Sequence, residues 1–386
     1  MSALSVHVVD DWRELEALRP AWEDLALHAL EPSAAAEAWM LIPALRHALP
    51  GAAPRVVLVY ADDPSSAATG GQLCGVFSVE FEARHRGLRT RVIRSWNHLY
   101  AVSSAPLLRR DRASACVNAF LDWAAGERPK HTLLHFPELN VESEFFGVLS
   151  EALRDRDLPT LTVDVWSRAM FRPDADADRY LQSVGTSHHR HEWRRQERRL
   201  GESGALTYDG LAAGEPVAPW IEEFVALEMA GWKGRNGSAF GCTESHRAWL
   251  DEVLREAHAR RRAMLLALRL DGRAIAMKIN VLAPPGAYAF KIAFDESLLK
   301  YSPGVLLELE NIRRLHANPA IRWMDSLATA NHSLMNRVWP GRTAVADLLI
   351  APGPASGKIL LSAIPLLRSV KRLVPGRRRT AAPVGK

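Results

Sequence analysis

The residues whose types and order could do chemistry lie mostly between 287 and 341. An apolar run, AYAFKIAF, leads to Asp295 and the linker ESLLKY. Ser302-Pro303-Gly304 follows, then a helical pattern opening VLLELENI. Ser and Pro at a helix start are ordinary N-terminal chemistry, and Gly304 lets a ligand approach the backbone. The first N–H groups of such a helix lack internal partners, and its dipole favours an anion. Ser302, Pro303 and Gly304 therefore suit a pyrophosphate cradle, although a plain capped helix reads the same way. Asp325 ends the strand IRWMD just beyond that helix. A carboxylate there can act as general base for an amine or hydroxyl, or simply bond the strand end. His332, in ATANHSLMNRVW, is the second candidate base, set against the commoner role of a packed histidine.

Cations add to this pattern. The chain has eight lysines against 41 arginines, and Lys233, Lys278, Lys291 and Lys300 cluster in 233–300. Lysine is a compact point charge suited to phosphate or carboxylate. Lys278 and Lys291 sit inside apolar strand patterns, where surface snorkelling explains them less well. The segment GWKGRNGSAF, 231–240, is glycine-rich but lacks the strand-then-helix setting of a dinucleotide fingerprint. The run SHHRHEWRRQERRL, 187–200, puts Arg190, Arg194 and Arg198 on one helix face. That face is either solvated or turned to an anion. Its three histidines are too close together for a standard zinc site, so no metal is expected.

The elements that must position these residues follow from periodicity. Strands are expected at 5–9, 55–60, 72–82, 89–95, 131–136 and 160–166, with helices at about 11–28, 111–125 and 142–156. After residue 167 the order repeats. Helices are expected at about 187–201, 216–231, 244–262 and 303–317, and strands at 264–270, 274–282, 287–294, 321–325 and 343–350. Two α+β units result, 1–166 and 167–350, each a mixed sheet flanked by helices. Residues 351–386 form a tail with a short amphipathic basic segment.

The length of 386 residues fits two or three domains, and the 48% hydrophobic and 24% charged composition excludes a disordered, collagenous or coiled-coil chain. Three scattered cysteines provide no disulfide framework and point to a reducing compartment. The net charge is +5, but residues 351–386 carry eight basic side chains and no acid. Removing those eight leaves about −3 for residues 1–350, so bulk charge does not argue for nucleic acid and no DNA partner is expected. The apolar stretch 359–367 is too short to span a bilayer, which needs about 20 residues. The N-terminus does not read as a signal peptide, so a cytoplasmic protein is expected.

The second half resembles the CelD-type (BioF-like) acetyltransferases of the GNAT superfamily, related to the FemAB transferases. The resemblance covers roughly 167–350. It rests on RRQERRLGESG, LEMAGWKGRNGSAF, FKIAFDESLLKYSPGVLLELENI and IRWMDSL, in that order. It implies tandem GNAT-like domains, each a mostly antiparallel mixed sheet flanked by helices, with the first degenerate. It implies an acetyl-CoA or longer acyl-CoA cosubstrate and an amine or hydroxyl acceptor, a small molecule or a glycan. Family members are associated with cellulose or other exopolysaccharide biosynthesis. On residues, the resemblance supports Lys291, Ser302, Pro303 and Gly304 for the donor, Trp232, Lys233 and Asp295 for the substrate, and Asp325 for catalysis. One departure is Met335-Asn336, where family members commonly carry a Tyr-Lys pair before a Trp. Another is that the glycine-rich phosphate loop is reduced to Ser-Pro-Gly.

The leading expectation is an acyl-CoA-dependent N- or O-acyltransferase. A first alternative is an aminoacyl-tRNA-dependent FemAB-like transferase using the 187–200 helix for tRNA. A second is a non-catalytic scaffold held weakly at the inner membrane by its basic tail.

Overall fold

The computed structural model describes residues 4–49, 54–61, 71–85, 90–127, 132–174, 176–353, 359 and 361–362. Nearly all of the basic tail lies outside the described residues. The chain divides into two compact units, one of residues 1–45, 50–166 and 344–386, the other of residues 46–49 and 167–343.

The first unit begins with β1 (Leu4–Val9), α1 (Trp12–Glu16), α2 (Arg19–Leu27) and α3 (Ala38–Arg46). The single helix expected over 11–28 is two helices. Pro20 has no N–H to continue the first, and it is accommodated in the opening turn of α2. Then come β2 (Arg55–Ala61), β3 (Gln72–Glu82), β4 (Arg91–Ser95), β5 (Leu107–Leu108), α4 (Ala113–Gly126), β6 (Thr132–Asn140), α5 (Glu144–Asp155) and β7 (Thr160–Phe171). Strands β1 to β4 pair antiparallel in sequence, β4 and β6 pair parallel, and β5 adds to β3. One sheet face packs on α4 and α5, where Phe77 and Phe120 stack with ring centroids 4.1 Å apart. Ser143 caps α5 by accepting the Phe146 N–H.

The second unit contains α6 (Ala177–Ser183), α7 (Ser187–Gly201), β8 (Leu206–Gly210), α8 (Ala218–Ala230), α9 (Trp232–Arg235) and α10 (Glu244–Ala259). After these come β9 (Ala263–Leu270), β10 (Arg273–Ala283), β11 (Gly286–Phe294), α11 (Pro303–His316), β12 (Trp323–Asp325), α12 (Ser333–Val338) and β13 (Arg342–Ile350). Strands β8 to β11 pair antiparallel in order, β11 and β12 pair parallel, and β12 pairs antiparallel with the end of β7. The same scheme thus occurs twice: antiparallel strands, a helix, one parallel neighbour. Both units are mixed, mostly antiparallel sheets flanked by helices.

Two features depart from the linear division. The end of β7, from Ser167, belongs to the second unit, and β13 pairs with β6 of the first. The expected second domain running unbroken to 350 therefore ends at 343. Each half of the chain closes with a strand that completes the other half's sheet, an arrangement that hydrophobic periodicity does not encode.

Candidate functional site

The site is built where β11 and β12 part. They pair at Gly286↔Trp323, Ala287↔Met324 and Tyr288↔Asp325, and β12 ends there while β11 runs on to Phe294. Beside this point the register of β11 against β10 shifts between Tyr288 and Lys291, which marks a β-bulge at Ala289 and Phe290. Bulges re-aim backbone N–H groups and side chains, and they recur beside active sites. Gly286 allows the close pairing. A Cβ there would lie 2.1 Å from the Trp323 ring.

Beyond β11, Asp295 starts a 3₁₀ turn, Glu296–Tyr301, and Ser302 takes a left-handed conformation with φ 52°. The Ser302 carbonyl accepts the N–H groups of Val305 and Leu306. No side chain caps α11, and the Gly304 N–H has no partner among the described residues. Gly304 is buried over Phe294 and Ile292, 3.4 and 3.6 Å from where a Cβ would stand. Among the described residues the Gly304 N–H is thus the one first-turn donor left open, since Pro303 has none and the next two are bonded to Ser302.

The other expected residues are distributed as follows. Lys291 lies over the rings of Phe240 and Phe290, 5.6 Å from each centroid. Asp295 is an anchor: Oδ1 accepts the Ser297 N–H and hydroxyl, and Oδ2 accepts from Arg273 at 2.8 Å. Burial works to raise its pKa, but these hydrogen bonds outweigh it and hold the carboxyl below its usual range. Lys233 donates to Glu228 at 2.8 Å and to the Ile292 carbonyl at 3.0 Å, which ties α9 to β11. Its ammonium is committed to the scaffold. Trp232 is exposed, and its backbone N–H is held by Glu296 at 2.5 Å. Arg190 and Arg194 lie on α7, as expected, and border a separate cavity.

Asp325 is not an open carboxylate. Its Oδ2 accepts from both Nε and Nη2 of Arg168 at 3.0 and 2.6 Å, and its Oδ1 accepts the Leu327 N–H at 2.8 Å. His332 caps α12, with Nδ1 accepting the Met335 N–H at 3.2 Å. A neutral ring in that position carries its proton on Nε2. Burial, and then the nearby Lys278 charge, pushes its pKa below the usual histidine value, so the ring is neutral at pH 7.

Under α11 lies a polar layer whose partners sequence reasoning missed. Lys278 on β10 pairs with Glu308 at 2.8 Å, both almost fully buried. Asn311 donates to Glu308 at 2.9 Å and accepts from Asn280 at 2.8 Å. Asn280 Oδ1 and the Tyr180 hydroxyl are buried without partners among the described residues. The available signal was local: two polar residues two apart in an apolar strand, facing two polar residues three apart on the apolar side of a helix.

Comparison with known proteins agrees with this geometry. Residues 187–332 match the family model of the acetyltransferase (GNAT) domain, which spans the bulge, the start of α11 and the end of β12. Over that range the chain is similar to a GNAT acetyltransferase domain. Among solved structures, FemX is similar at a TM-score of 0.53 with 11% identity, covering 94% of this chain and 99% of that one. A chain described as the C-terminal (DUF2156) domain of a lysylphosphatidylglycerol synthetase from Agrobacterium fabrum gives 0.51 and 12%, covering 95% and 99%. These likenesses concern the fold. No curated protein matches the chain.

Proposed function

We propose that the chain is an acyl-CoA-dependent N- or O-acyltransferase working in the second unit. The observation that carries this reading is the gap beyond Tyr288 and Asp325, with a β-bulge on one side and the uncapped start of α11 nearby. Bound acyl-CoA would supply an electrophilic thioester carbonyl. In this reading Ser302, Pro303 and Gly304 hold the pyrophosphate, and Lys291 adds a positive charge at the same strand. A backbone N–H at Ala289, in the bulge, polarises the carbonyl. The acceptor nitrogen or oxygen bonds to the acyl carbon, the carbon–sulfur bond breaks, and the acceptor's proton ends on the thiol. Arg168 and the Leu327 N–H engage both oxygens of Asp325, so Asp325 positions the end of β12 and the turn after it. His332 presents an N–H rather than a lone pair from Nε2.

A second reading, an aminoacyl-tRNA donor, rests on the sequence resemblance to the FemAB transferases. Arg190 and Arg194 of α7, which have no carboxylate partner among the described residues, favour it. A role in exopolysaccharide, cellulose or cell-envelope biosynthesis rests on the sequence resemblance alone, as does a glycan acceptor. Among the described residues no helix is long and apolar enough to cross a membrane. Weak contact of the tail with the inner membrane concerns residues outside the described ones, and liposome co-sedimentation with and without 355–386 tests it.

Calorimetry with acetyl-CoA and a longer acyl-CoA tests the main reading. Saturable binding is expected for the wild type. It is expected to fall at least ~10-fold in Gly304→Trp, whose ring would fill the cradle over Phe294. Absence of binding to either donor, with salt-sensitive tRNA binding instead, would transfer the assignment to the second reading.

A further inference from the structure

A cavity of about 300 Å³ lies between α6, α7 and the C-terminal half of α11. Its α11 residues, Leu309 and Arg313, are well along the helix from Gly304, so it is distinct from the donor cradle. That volume is at the lower end for small-molecule sites, which run from about 300 to 1,000 Å³, and it is too small for a nucleotide cofactor.

Charges of both signs border the cavity without being matched to each other. Arg190 donates Nη1 to the carbonyls of Val184 and Gly185 at 3.0 Å each. Arg194 donates Nε to the Arg190 carbonyl at 3.3 Å, and its Nη2 is 3.4 Å from His191 Nδ1. Neither guanidinium has a carboxylate partner among the described residues, whereas Arg195 on the same helix is paired with Glu192 at 2.7 Å. The Asp178 carboxylate also lacks a partner there, and Glu197 commits one oxygen, to the Tyr208 hydroxyl at 2.6 Å. Leu181, Leu309 and the buried Trp193 supply the apolar part of the wall, and Gln182 and Arg313 complete it, the latter 3.5 Å from Glu310.

An anion between two guanidiniums on successive turns of one helix relieves their mutual repulsion, and a carboxylate matches their fork geometry. An ammonium on the same ligand would face Asp178 and the second oxygen of Glu197. An apolar side chain would lie on Trp193 and Leu309. We propose that this cavity binds a free α-amino acid with an apolar side chain. The binding does not depend on the acyl-transfer reading.

Calorimetry on the full chain at pH 7 tests it, with L-leucine and L-phenylalanine as ligands. Isovalerate, isoamylamine and inorganic phosphate supply the acid alone, the amine alone and a plain anion. Arg194→Ala and Asp178→Asn are the variants, both at exposed positions where folding should be unaffected. The expected result is saturable binding of at least one amino acid. Each single-charge analogue should bind about tenfold or more weakly, and each variant should lose about tenfold or more, the size of one charge-assisted hydrogen bond. The proposal is overturned if neither amino acid saturates, if phosphate binds as tightly as the amino acids, or if either variant binds like wild type.

Discussion

Arg168 and Asp325 form a buried pair in which two guanidinium nitrogens meet one carboxylate oxygen, and the partners come from adjacent strands, β7 and β12. Breaking such a pair leaves an uncompensated charge, at a typical cost of ~3–5 kcal/mol. Arg168→Met and Asp325→Asn are both expected to lower the urea midpoint, and to lower turnover together through displacement of β12. If Asp325 were also the general base, Asp325→Asn would lose a further ~10²–10⁴ in kcat that Arg168→Met does not show. Denaturation and steady-state kinetics on the two variants separate the roles.

The Lys278–Glu308 pair makes a related prediction for the layer under α11. Lys278→Met alone strands the Glu308 carboxylate and should cost ~3–5 kcal/mol. Lys278→Met with Glu308→Leu removes both charges and should recover much of that loss. Midpoints of the single and double variants check it, and equal losses in both would show that the charges matter little to folding.

Gly286 predicts a steric effect. An added methyl would stand 2.1 Å from the Trp323 ring, so Gly286→Ala must push β12 away or tilt the indole. A cost of ~1–3 kcal/mol is expected. A second change, Trp323→Leu, should relieve part of it, as thermal denaturation of the three variants would show.

His98, in the first unit, gives a pH dependence. Burial holds its pKa at about 3, against 6.5 in an unfolded chain. The unfolded state therefore binds the extra proton first. The neutral ring's contribution is complete above pH 6.5 and is lost as pH falls toward 3, at about 1.4 kcal/mol per unit. His332 is shifted in the same direction. His98→Asn should flatten the fall in stability between pH 6 and 4, measured by urea denaturation at each pH.

Most individual elements were legible in the sequence because they depend on local chemistry. The basic helix at 187–201, the start of α11 at Pro303 and the hairpin strands β9 to β11 follow from capping residues, proline and side-chain period. The break between α1 and α2 was also local, since Pro20 carries the signal. The order of residues along the site, from Lys291 through Gly304 to Asp325, was likewise fixed by the chain.

What each of those residues could still offer was decided by tertiary structure. Asp325 reads as a candidate base until Arg168, 157 positions earlier, occupies its oxygen. Lys233 reads as a ligand contact until Glu228 and the Ile292 carbonyl take its ammonium. A titratable side chain's role depends on which partner reaches it first, and those partners are set by strand pairing between distant segments. The exchange of β7 and β13 between the units has the same origin. Periodicity names the buried face of a strand, but only the assembled sheet determines which edge it completes.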